Sequence, residues 1–265
     1  MSAVVIDGSL VHYEALGRGR PVLFIHGWLG SWRYWLPSME AIAAKHRAYA
    51  LDLWGFGDSD KSRPRYGVPD YTALLDNFLK YLGIEQLTLV GHALGASVAL
   101  EYTVQHPERV ERLMAVSLPV TADSISRRLL DFAHSSVLGK LMRRWQISHK
   151  EVQTEAEKTA HEAVTLSIQA VAGLDTKERL QRLKHKPGGL LLAVYGEKDD
   201  LIDSFPLRSL NGSTPALRQI GLPDSRHFPM LDEAAKFQRL LKDFLDPHQD
   251  LAALTLKEEW RRRMR

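Results

Sequence analysis

The apolar residues of this chain fall into short runs that stop at glycine, separated by stretches in which they recur at helical spacing. The segments "RPVLFIHG" (20–27) and "QLTLVG" (86–91) have the length and continuous apolar character of buried parallel strands. In "YTALLDNFLKYLGI" (71–84) the apolar residues follow the helical period, and Gly83 sits where a helix C-cap belongs. This alternation predicts an α/β fold with a mostly parallel sheet.

The same pattern extends on both sides of these segments. Alternating apolar and polar residues around the turn pair Asp7-Gly8 predict an edge hairpin in "VVIDGSLVHYEALG". The segment "HRAYALDLWGFGDSD" predicts a strand that runs into a glycine-rich loop, and "VERLMAVSL", "LLLAVYG" and "ALRQIG" predict further strands. A helix is predicted in "GASVALEYTVQHP", which ends at Pro107 because proline cannot continue a helix.

From about residue 120 to 187 the strand pattern stops, and the sequence is charge-rich with helical character. A helical block that interrupts strand–helix alternation indicates an insertion over one end of the sheet. The predicted organisation is therefore a core of residues 1–119 and 188–248, a helical cap at 120–187, and a basic amphipathic tail at 249–265. We expect the tail either to pack back on the body or to make weak contact with a membrane surface.

Composition narrows the class of protein without identifying it. The chain has 265 residues, of which 45% are hydrophobic and 25% are charged, as in ordinary globular domains. Its net charge of +3 does not favour a nucleic-acid partner. The absence of cysteine excludes disulfides, thiolate catalysis and cysteine-based zinc sites, and no histidine motif predicts a metal. Since no signal-peptide pattern and no long apolar run is found, we expect no membrane-spanning segment and a cytoplasmic location.

The segment "LTLVGHALGASVAL" has the outline of a strand, a sharp turn and a helix. Gly91-His92-Ala93-Leu94-Gly95 has the small–x–X–x–small spacing of a turn that presents a nucleophile between strand and helix. The glycines are needed because the two backbones nearly touch and the apical residue is strained. The Leu94 N–H is expected to face the same space as residue 93, as an oxyanion donor backed by the helix dipole. The apical residue itself, Ala93, has no atom that can attack a carbonyl.

Several separated motifs make the chain resemble the α/β-hydrolase-fold superfamily of single-domain esterases, lipases and C–C hydrolases. They are this elbow, the turn His26-Gly27-Trp28 after a buried strand, the loop "DLWGFGDS", the segment "HPERVERLMAVS", the acid turn "GEKD" and the histidine loop "SRHFP". The resemblance covers roughly residues 3–246. It implies an eight-stranded, mostly parallel sheet flanked by helices, with an inserted helical cap over the nucleophile.

The resemblance also implies a role for each site residue. Ala93 takes the nucleophile position, Asp199 the acid position and His227 the base position, in the family's chain order. The backbone N–H groups of Trp28 and Leu94 would form the oxyanion hole. The neighbouring carboxylate after Asp199 competes for the acid role, but the register of the acid turn disfavours it. No cofactor is implied.

The cap and the turns beside it are expected to line a pocket for a small, largely apolar substrate or ligand. The candidate pocket residues are His26, Leu29, His92, Leu118, Phe132, Leu138, Leu141, Met142, Trp145 and Phe228. For the cap members, packing between cap helices is the alternative, because apolar stripes usually serve a core. For the two histidines, the alternative is a structural role in hydrogen bonding or packing.

Three interpretations of Ala93 stay open from the sequence. In the first, alanine replaces the serine of a carboxylic ester hydrolase and inactivates it. In the second, Asp199 and His227 activate water or abstract a substrate proton without a covalent step. In the third, the pocket binds a ligand without turning it over. Because an acid, a base and two glycine-rich turns are all present, simple decay of a catalytic site is the least favoured origin.

Overall fold

The computed structural model describes residues 2–62, 65–134, 149–183, 191–209 and 217–256. These residues form one eight-stranded sheet with helices packed on it. The strands are β1 Ser2–Ile6, β2 Ser9–Gly17, β3 Arg20–Ile25, β4 His46–Leu51, β5 Leu87–His92, β6 Val110–Val116, β7 Leu191–Gly196 and β8 Leu217–Leu222. The α/β architecture predicted from the alternating pattern is thus confirmed.

The order of strands across the sheet is β1-β2-β4-β3-β5-β6-β7-β8. Strands β1 and β2 pair antiparallel, as do β2 and β4, whereas every later neighbour is parallel. In β5 every residue is buried, which explains its continuous apolar sequence, since helices cover both faces of a parallel sheet. Burying each large aliphatic side chain of such a strand contributes about 1.5–3 kcal/mol.

Ten helices belong to the described residues. They are α1 Leu36–Ile42, α2 Val68–Tyr81, α3 Leu94–Gln105, α4 Arg127–His134, α5 Lys150–Lys158, α6 His161–Ala172, α7 Thr176–Arg182, α8 Phe205–Arg208, α9 Pro229–Asp232 and α10 Ala234–Leu245. Short 3-10 turns form at Trp32–Trp35, Ala122–Ser124 and Leu251–Ala253. Within the described residues, no helix has the length and apolar character that crossing a membrane requires.

Two turns show why the local sequence folds as predicted. Asp7 and Gly8 both have positive φ, 49° and 75°, which is the backbone twist that a two-residue hairpin needs. Gly83 has φ 65° and follows α2, and its N–H donates to the Lys80 carbonyl, so it ends the helix as a glycine C-cap does. The helix over 36–42 was not predicted, because its approach is aromatic-rich and lacks a clear apolar stripe.

The sheet brings the loops of interest to one edge. Because β3, β4, β5, β7 and β8 run parallel, their carboxyl ends lie together, and the turns that follow them carry the motifs recognised in the sequence. The described part of the segment 120–187 is helical, as predicted. The domain boundaries and the function of that segment as a cap stay predictions.

The first residues of the predicted tail pack on the body. Leu251 and Leu254 are buried, and the Leu254 carbonyl accepts hydrogen bonds from Arg218 at 2.7 and 3.1 Å. This contact agrees with the alternative in which the tail packs back on the core. Residues 257–265, which carry most of the predicted basic face, lie outside the described residues.

Candidate active site

The elbow between β5 and α3 has the strained backbone that its sequence predicts. Ala93 has φ 48° and ψ −108°, and its N–H donates to the Val116 carbonyl at 2.9 Å. A Cβ at Gly91 would overlap the backbone of Gly95, and one at Gly95 would overlap the Ile25 carbonyl. Only glycine at these two positions allows β3, β5 and α3 to approach this closely. The tight turn between β5 and α3 therefore holds Ala93 at a positive φ.

The acid and base predicted from the sequence are hydrogen-bonded to each other. The Nδ1 atom of His227 lies 3.0 Å from Oδ2 and 3.2 Å from Oδ1 of Asp199. The Oδ1 atom of Asp199 also accepts from the backbone N–H groups of Leu201 at 2.9 Å and Ile202 at 3.0 Å. The carboxylate is therefore oriented by the backbone, and it orients the imidazole in turn.

The charge state of Asp199 follows from these contacts. Burial alone would raise its pKa, but the His227 ring and the N–H groups of Ile202 and Leu201 outweigh burial, and the pKa lies below its usual value. Asp199 is thus an anion at neutral pH. The adjacent Asp200 is exposed and pairs with Arg128 at 2.8 Å, so the structure separates the two carboxylates by environment.

The imidazole of His227 lies beside the elbow. His92, the residue before Ala93, has its ring centroid 4.6 Å from that of His227, and Phe228 packs within 5.1 Å of both rings. His227 itself is 4% exposed. The structure thus packs the predicted base against the residue that precedes the predicted nucleophile position.

The turn after β3 lies against the elbow. A Cβ at Gly27 would come within 3.0 Å of the Ala93 Cβ, which puts this turn in direct contact with the apical residue. The N–H of Leu94 is the first of α3 and has no partner within the helix. No acceptor is found for the Trp28 N–H among the described residues. Within the described residues, neither predicted oxyanion donor has a backbone acceptor.

The structural alternative for His26 fits its surroundings better than substrate contact. Its Nδ1 lies 2.8 Å from the Gly27 carbonyl, and its Nε2 accepts the Leu53 N–H at 3.0 Å. With both ring nitrogens bound to backbone and no exposed surface, His26 joins the turn after β3 to the loop after β4. His92 is likewise fully buried, with both ring nitrogens engaged.

The other pocket candidates divide into two groups. Leu29, Leu118 and Phe228 are buried at the carboxyl edge of the sheet, and Leu29 has a φ of 62°. The side chain of Phe132 lies outside what the structure describes. Four further candidates lie entirely outside it: Leu138, Leu141, Met142 and Trp145. An apolar pocket wall formed by these residues stays a prediction.

The structure also reveals contacts that the sequence did not indicate. The Trp28 indole N–H donates to the Ser167 hydroxyl on α6 at 2.9 Å, although the two residues are 139 positions apart. The Gly27 N–H donates to the Tyr34 hydroxyl at 2.6 Å. Neither partner belongs to a motif, and no local sequence pattern predicted either contact.

Four charges join the 3-10 turn after β3 and the loop after β4 to helix α5. Arg33 binds Asp58 at 2.8 Å and Glu155 at 3.2 Å, and Lys158 binds Glu155 at 2.9 Å and Asp58 at 3.4 Å. Glu155 is only 1% exposed, so its charge depends on these two cations.

Replacing Glu155 by glutamine is expected to lower the free energy of unfolding by about 1–3 kcal/mol, because it leaves two cations facing one carboxylate. Chemical denaturation at neutral pH measures the change. The exposed Glu157 on the same helix provides the matched control, and Glu157→Gln should change stability by less than about 0.5 kcal/mol. Equal stabilities of the two variants would contradict a structural role for the four-charge cluster.

A group of potential metal ligands lies at the loop after β4. Ligand atoms of His12, Asp52 and Asp58 lie within 4.8 Å of one another. Asp52 already accepts hydrogen bonds from the N–H groups of Asp58 and Trp32, and Asp58 is paired with Arg33. These contacts satisfy the carboxylates from within the protein, and they hold the loop after β4 in place.

Buried histidines predict how stability depends on pH. The usual pKa of a histidine is about 6.5. Burial holds the pKa of His26 below this value and the pKa of His92 well below it. Burial also lowers the pKa of half-buried His46. At these three residues the unfolded chain therefore binds more protons than the folded chain below pH 6.5. His12 has the opposite shift, because its hydrogen bond to Asp52 and the charge of Asp52 outweigh burial; its stabilising contribution is fully present only below pH 6.5 and is lost as the pH rises.

We expect the free energy of unfolding to fall by about 1–2 kcal/mol between pH 6.5 and 5.5, from the linkage relation applied mainly to the two fully buried histidines. Urea denaturation across this range measures the slope. The same series in His92→Gln should show a smaller slope, since one of the two buried rings is removed. A stability that stays constant over this range would show that these rings are not held neutral.

The strand order and the flanking helices are those of the α/β-hydrolase fold, and comparison with known proteins agrees. A family model described as alpha/beta hydrolase fold matches residues 20–145, just under half of the chain. This match and the solved structures of the same fold support the α/β-hydrolase superfamily for this chain.

The relatives of this chain include hydrolases of different chemistry. It is 27% identical over 279 residues to a 2-hydroxymuconate semialdehyde hydrolase of Pseudomonas sp. strain CF600, covering 95% of each chain. It is 26% identical over 235 residues to a putative carbamate hydrolase of Azorhizobium caulinodans, covering 82% of this chain and 84% of that protein. The enol-lactonase structure from Burkholderia xenovorans aligns with a TM-score of 0.80 at 17% identity over 92% of this chain and 99% of that one, which shows a shared fold.

Proposed function

We propose that this chain is an α/β hydrolase of the serine type with alanine at the nucleophile position. Its Ala93→Ser form would hydrolyse a small, largely apolar ester or related carbonyl compound. The observation that carries the proposal is the hydrogen bond between His227 and Asp199 beside a strained elbow, where the N–H groups of Trp28 and Leu94 have no acceptor among the described residues. All the groups of a serine hydrolase are present except the attacking oxygen.

Each residue has a defined task in the Ala93→Ser form. The serine hydroxyl attacks the substrate carbonyl while His227 takes its proton at Nε2, and Asp199 stabilises the imidazolium through Nδ1. The N–H groups of Trp28 and Leu94 donate to the oxyanion that forms. The imidazolium then returns the proton to the leaving group, and water releases the acyl group by the same steps. These reaction steps require no cofactor.

The relatives support this class of reaction without fixing the substrate. Proteins described as a semialdehyde hydrolase, a carbamate hydrolase and an enol-lactonase are similar to this chain. Semialdehydes, carbamates and lactones are all carbonyl compounds. The buried, largely apolar surroundings of the elbow, with Leu29, Leu118 and Phe228, favour an apolar substrate over a charged one.

A second candidate is a non-covalent enzyme, and it is favoured by one observation. The hydrogen bond that orients His227 is retained although there is no nucleophile to activate. His227 would then remove a proton from water or from a substrate carbon over the same oxyanion hole. This candidate requires His227→Ala to abolish the activity of the chain with Ala93, and unchanged activity excludes it.

The test of the main proposal is the Ala93→Ser variant, assayed on short p-nitrophenyl esters beside the chain with Ala93. A large gain in turnover supports a hydrolase that lacks its serine. No gain, together with tight binding of an apolar ligand to the chain with Ala93, supports a ligand-binding protein on the same fold.

A further inference from the structure

A chain of buried hydrogen bonds runs from the oxyanion turn to the loop of the proposed base. The Gly27 N–H donates to the Tyr34 hydroxyl at 2.6 Å, which lies 3.0 Å from Nδ1 of His92. The Nε2 atom of His92 lies 2.8 Å from the backbone carbonyl of His227. Three hydrogen bonds thus connect the residue before Trp28 with the backbone of the base.

The donor and the acceptor of each hydrogen bond in this series follow from the groups at its two ends. A backbone carbonyl can only accept, so Nε2 of His92 must carry the proton that it donates to His227. In a neutral ring Nδ1 is then bare, and it accepts the hydroxyl proton of Tyr34. The Tyr34 oxygen keeps a lone pair for the Gly27 N–H. The Nε2–H tautomer of His92 satisfies all of these groups. The Nδ1–H tautomer would set the bare Nε2 lone pair against the His227 carbonyl and leave the Tyr34 hydroxyl proton without its acceptor.

The surroundings keep both side chains in these states. Burial holds the pKa of His92 well below its usual value, and the His227 ring adds to this effect. Burial likewise holds the pKa of Tyr34 well above its usual value. Both side chains are at most 2% exposed, and Phe228 packs against each ring, 5.1 Å from His92 and 5.9 Å from Tyr34. The chain of hydrogen bonds therefore does not titrate near neutral pH.

We propose that Tyr34 and His92 are positioning residues that hold the oxyanion turn and the general-base loop in a fixed relation to each other. The inference rests on the proposed function for the roles of Trp28 and His227. Because the hydrogen bonds end on Gly27 and on the His227 backbone, losing them shifts both groups that must converge on the reacting carbonyl. A misplacement of about 1 Å can cost on the order of 100-fold in rate.

The first test uses the chain with Ala93 and requires no activity. Long-range ¹H–¹⁵N NMR spectra of the histidine rings should show His92 as the Nε2–H tautomer throughout pH 6–8. In Tyr34→Phe the Nδ1 resonance of His92 should shift, because it loses its donor, and the His227 ring resonances should shift with it. A Nδ1–H tautomer, or unchanged His227 resonances in this variant, would overturn the proposal.

Tyr71→Phe is the matched control for Tyr34→Phe. Tyr71 is fully buried and its hydroxyl donates to the Trp54 carbonyl at 3.0 Å, so its removal costs one buried hydrogen bond, against two for Tyr34. Both variants should lose stability, and only Tyr34→Phe should alter the His92 and His227 spectra. Equal spectral changes in the two variants would mean a general loss of packing and would also overturn the proposal.

The second test measures kinetics in the Ala93→Ser background. Tyr34→Phe should lower kcat for a p-nitrophenyl ester by about 10- to 100-fold and leave KM nearly unchanged, because only transition-state positioning is lost. His92→Leu should have a similar effect, and His92→Gln, which keeps a donor and an acceptor, should restore part of the rate. If Tyr34→Phe keeps full kcat, the positioning role is wrong.

The two tests separate this inference from the proposed function. If Ala93→Ser gains no activity, the proposed hydrolase fails, and the NMR experiment still decides whether the hydrogen bonds couple the turn to the His227 loop. If Ala93→Ser is active and the NMR and kinetic changes are absent in Tyr34→Phe, the hydrolase stands and the positioning residues fail.

Discussion

Replacing Ala93 by serine should raise kcat/KM for short p-nitrophenyl esters by on the order of 10⁴- to 10⁶-fold, the factor lost when a serine hydrolase loses its nucleophile. The change adds one oxygen to a backbone that already has φ 48° and ψ −108°. The hydrogen bond between the proposed base and its orienting carboxylate is already formed. The chain with Ala93 should keep only the residual rate that positioning and oxyanion binding provide, on the order of 10³–10⁴ over water.

The control is Ala96→Ser, which adds the same hydroxyl to the buried face of α3 three residues after the apex. It should produce no gain in rate. A burst of p-nitrophenol equal to the enzyme concentration, and an added acyl mass on the protein, would identify the covalent intermediate in Ala93→Ser. A folded Ala93→Ser variant with the rate of the chain with Ala93 would refute the proposed hydrolase.

Replacing Asp199 by asparagine in the Ala93→Ser background should lower kcat by on the order of 10⁴-fold. Oδ1 of Asp199 faces two backbone donors, the N–H groups of Leu201 and Ile202. An asparagine must turn its oxygen toward them, and its NH₂ group then faces Nδ1 of His227. Nδ1 must become the acceptor, the ring proton moves to Nε2, and the base can no longer take a proton from the serine.

Asp200→Asn is the matched control, since Asp200 is the neighbouring carboxylate and pairs with Arg128 on the surface. It should leave kcat within a factor of about two, because exposed ion pairs contribute little. The ¹⁵N resonances of His227 would report the change of tautomer in Asp199→Asn directly. If Asp200→Asn lost much of the rate and Asp199→Asn lost little, the acid role would belong to Asp200.

Much of the fold could be predicted because local chemistry enforces it. Asp7-Gly8 determines the hairpin turn, Gly83 ends α2, and the elbow glycines are required by backbone contact. Helix α1 was not predicted, although Pro37 in its first turn is a start signal, because aromatic residues before it obscured the apolar period. Periodicity identifies amphipathic helices better than short ones embedded in an aromatic core.

The candidate site could be predicted only where a motif fixes the residue. Asp199 and His227 stand in recognisable turns, and the structure places them in hydrogen-bond contact. Tyr34 and Glu155 could not be inferred, because their partners lie 58 and 122 residues away in the chain. No local pattern reports which distant side chain a folded backbone brings near, so such contacts require coordinates.

The hydrogen bond between the Trp28 indole and Ser167 has a consequence for how a ligand reaches the elbow. Since Ser167 lies on α6, any outward movement of that helix leaves a buried indole N–H without an acceptor and frees the side chain next to a proposed oxyanion donor. Under the proposed function, a ligand that entered by displacing α6 would break this hydrogen bond, and return of the helix would restore it.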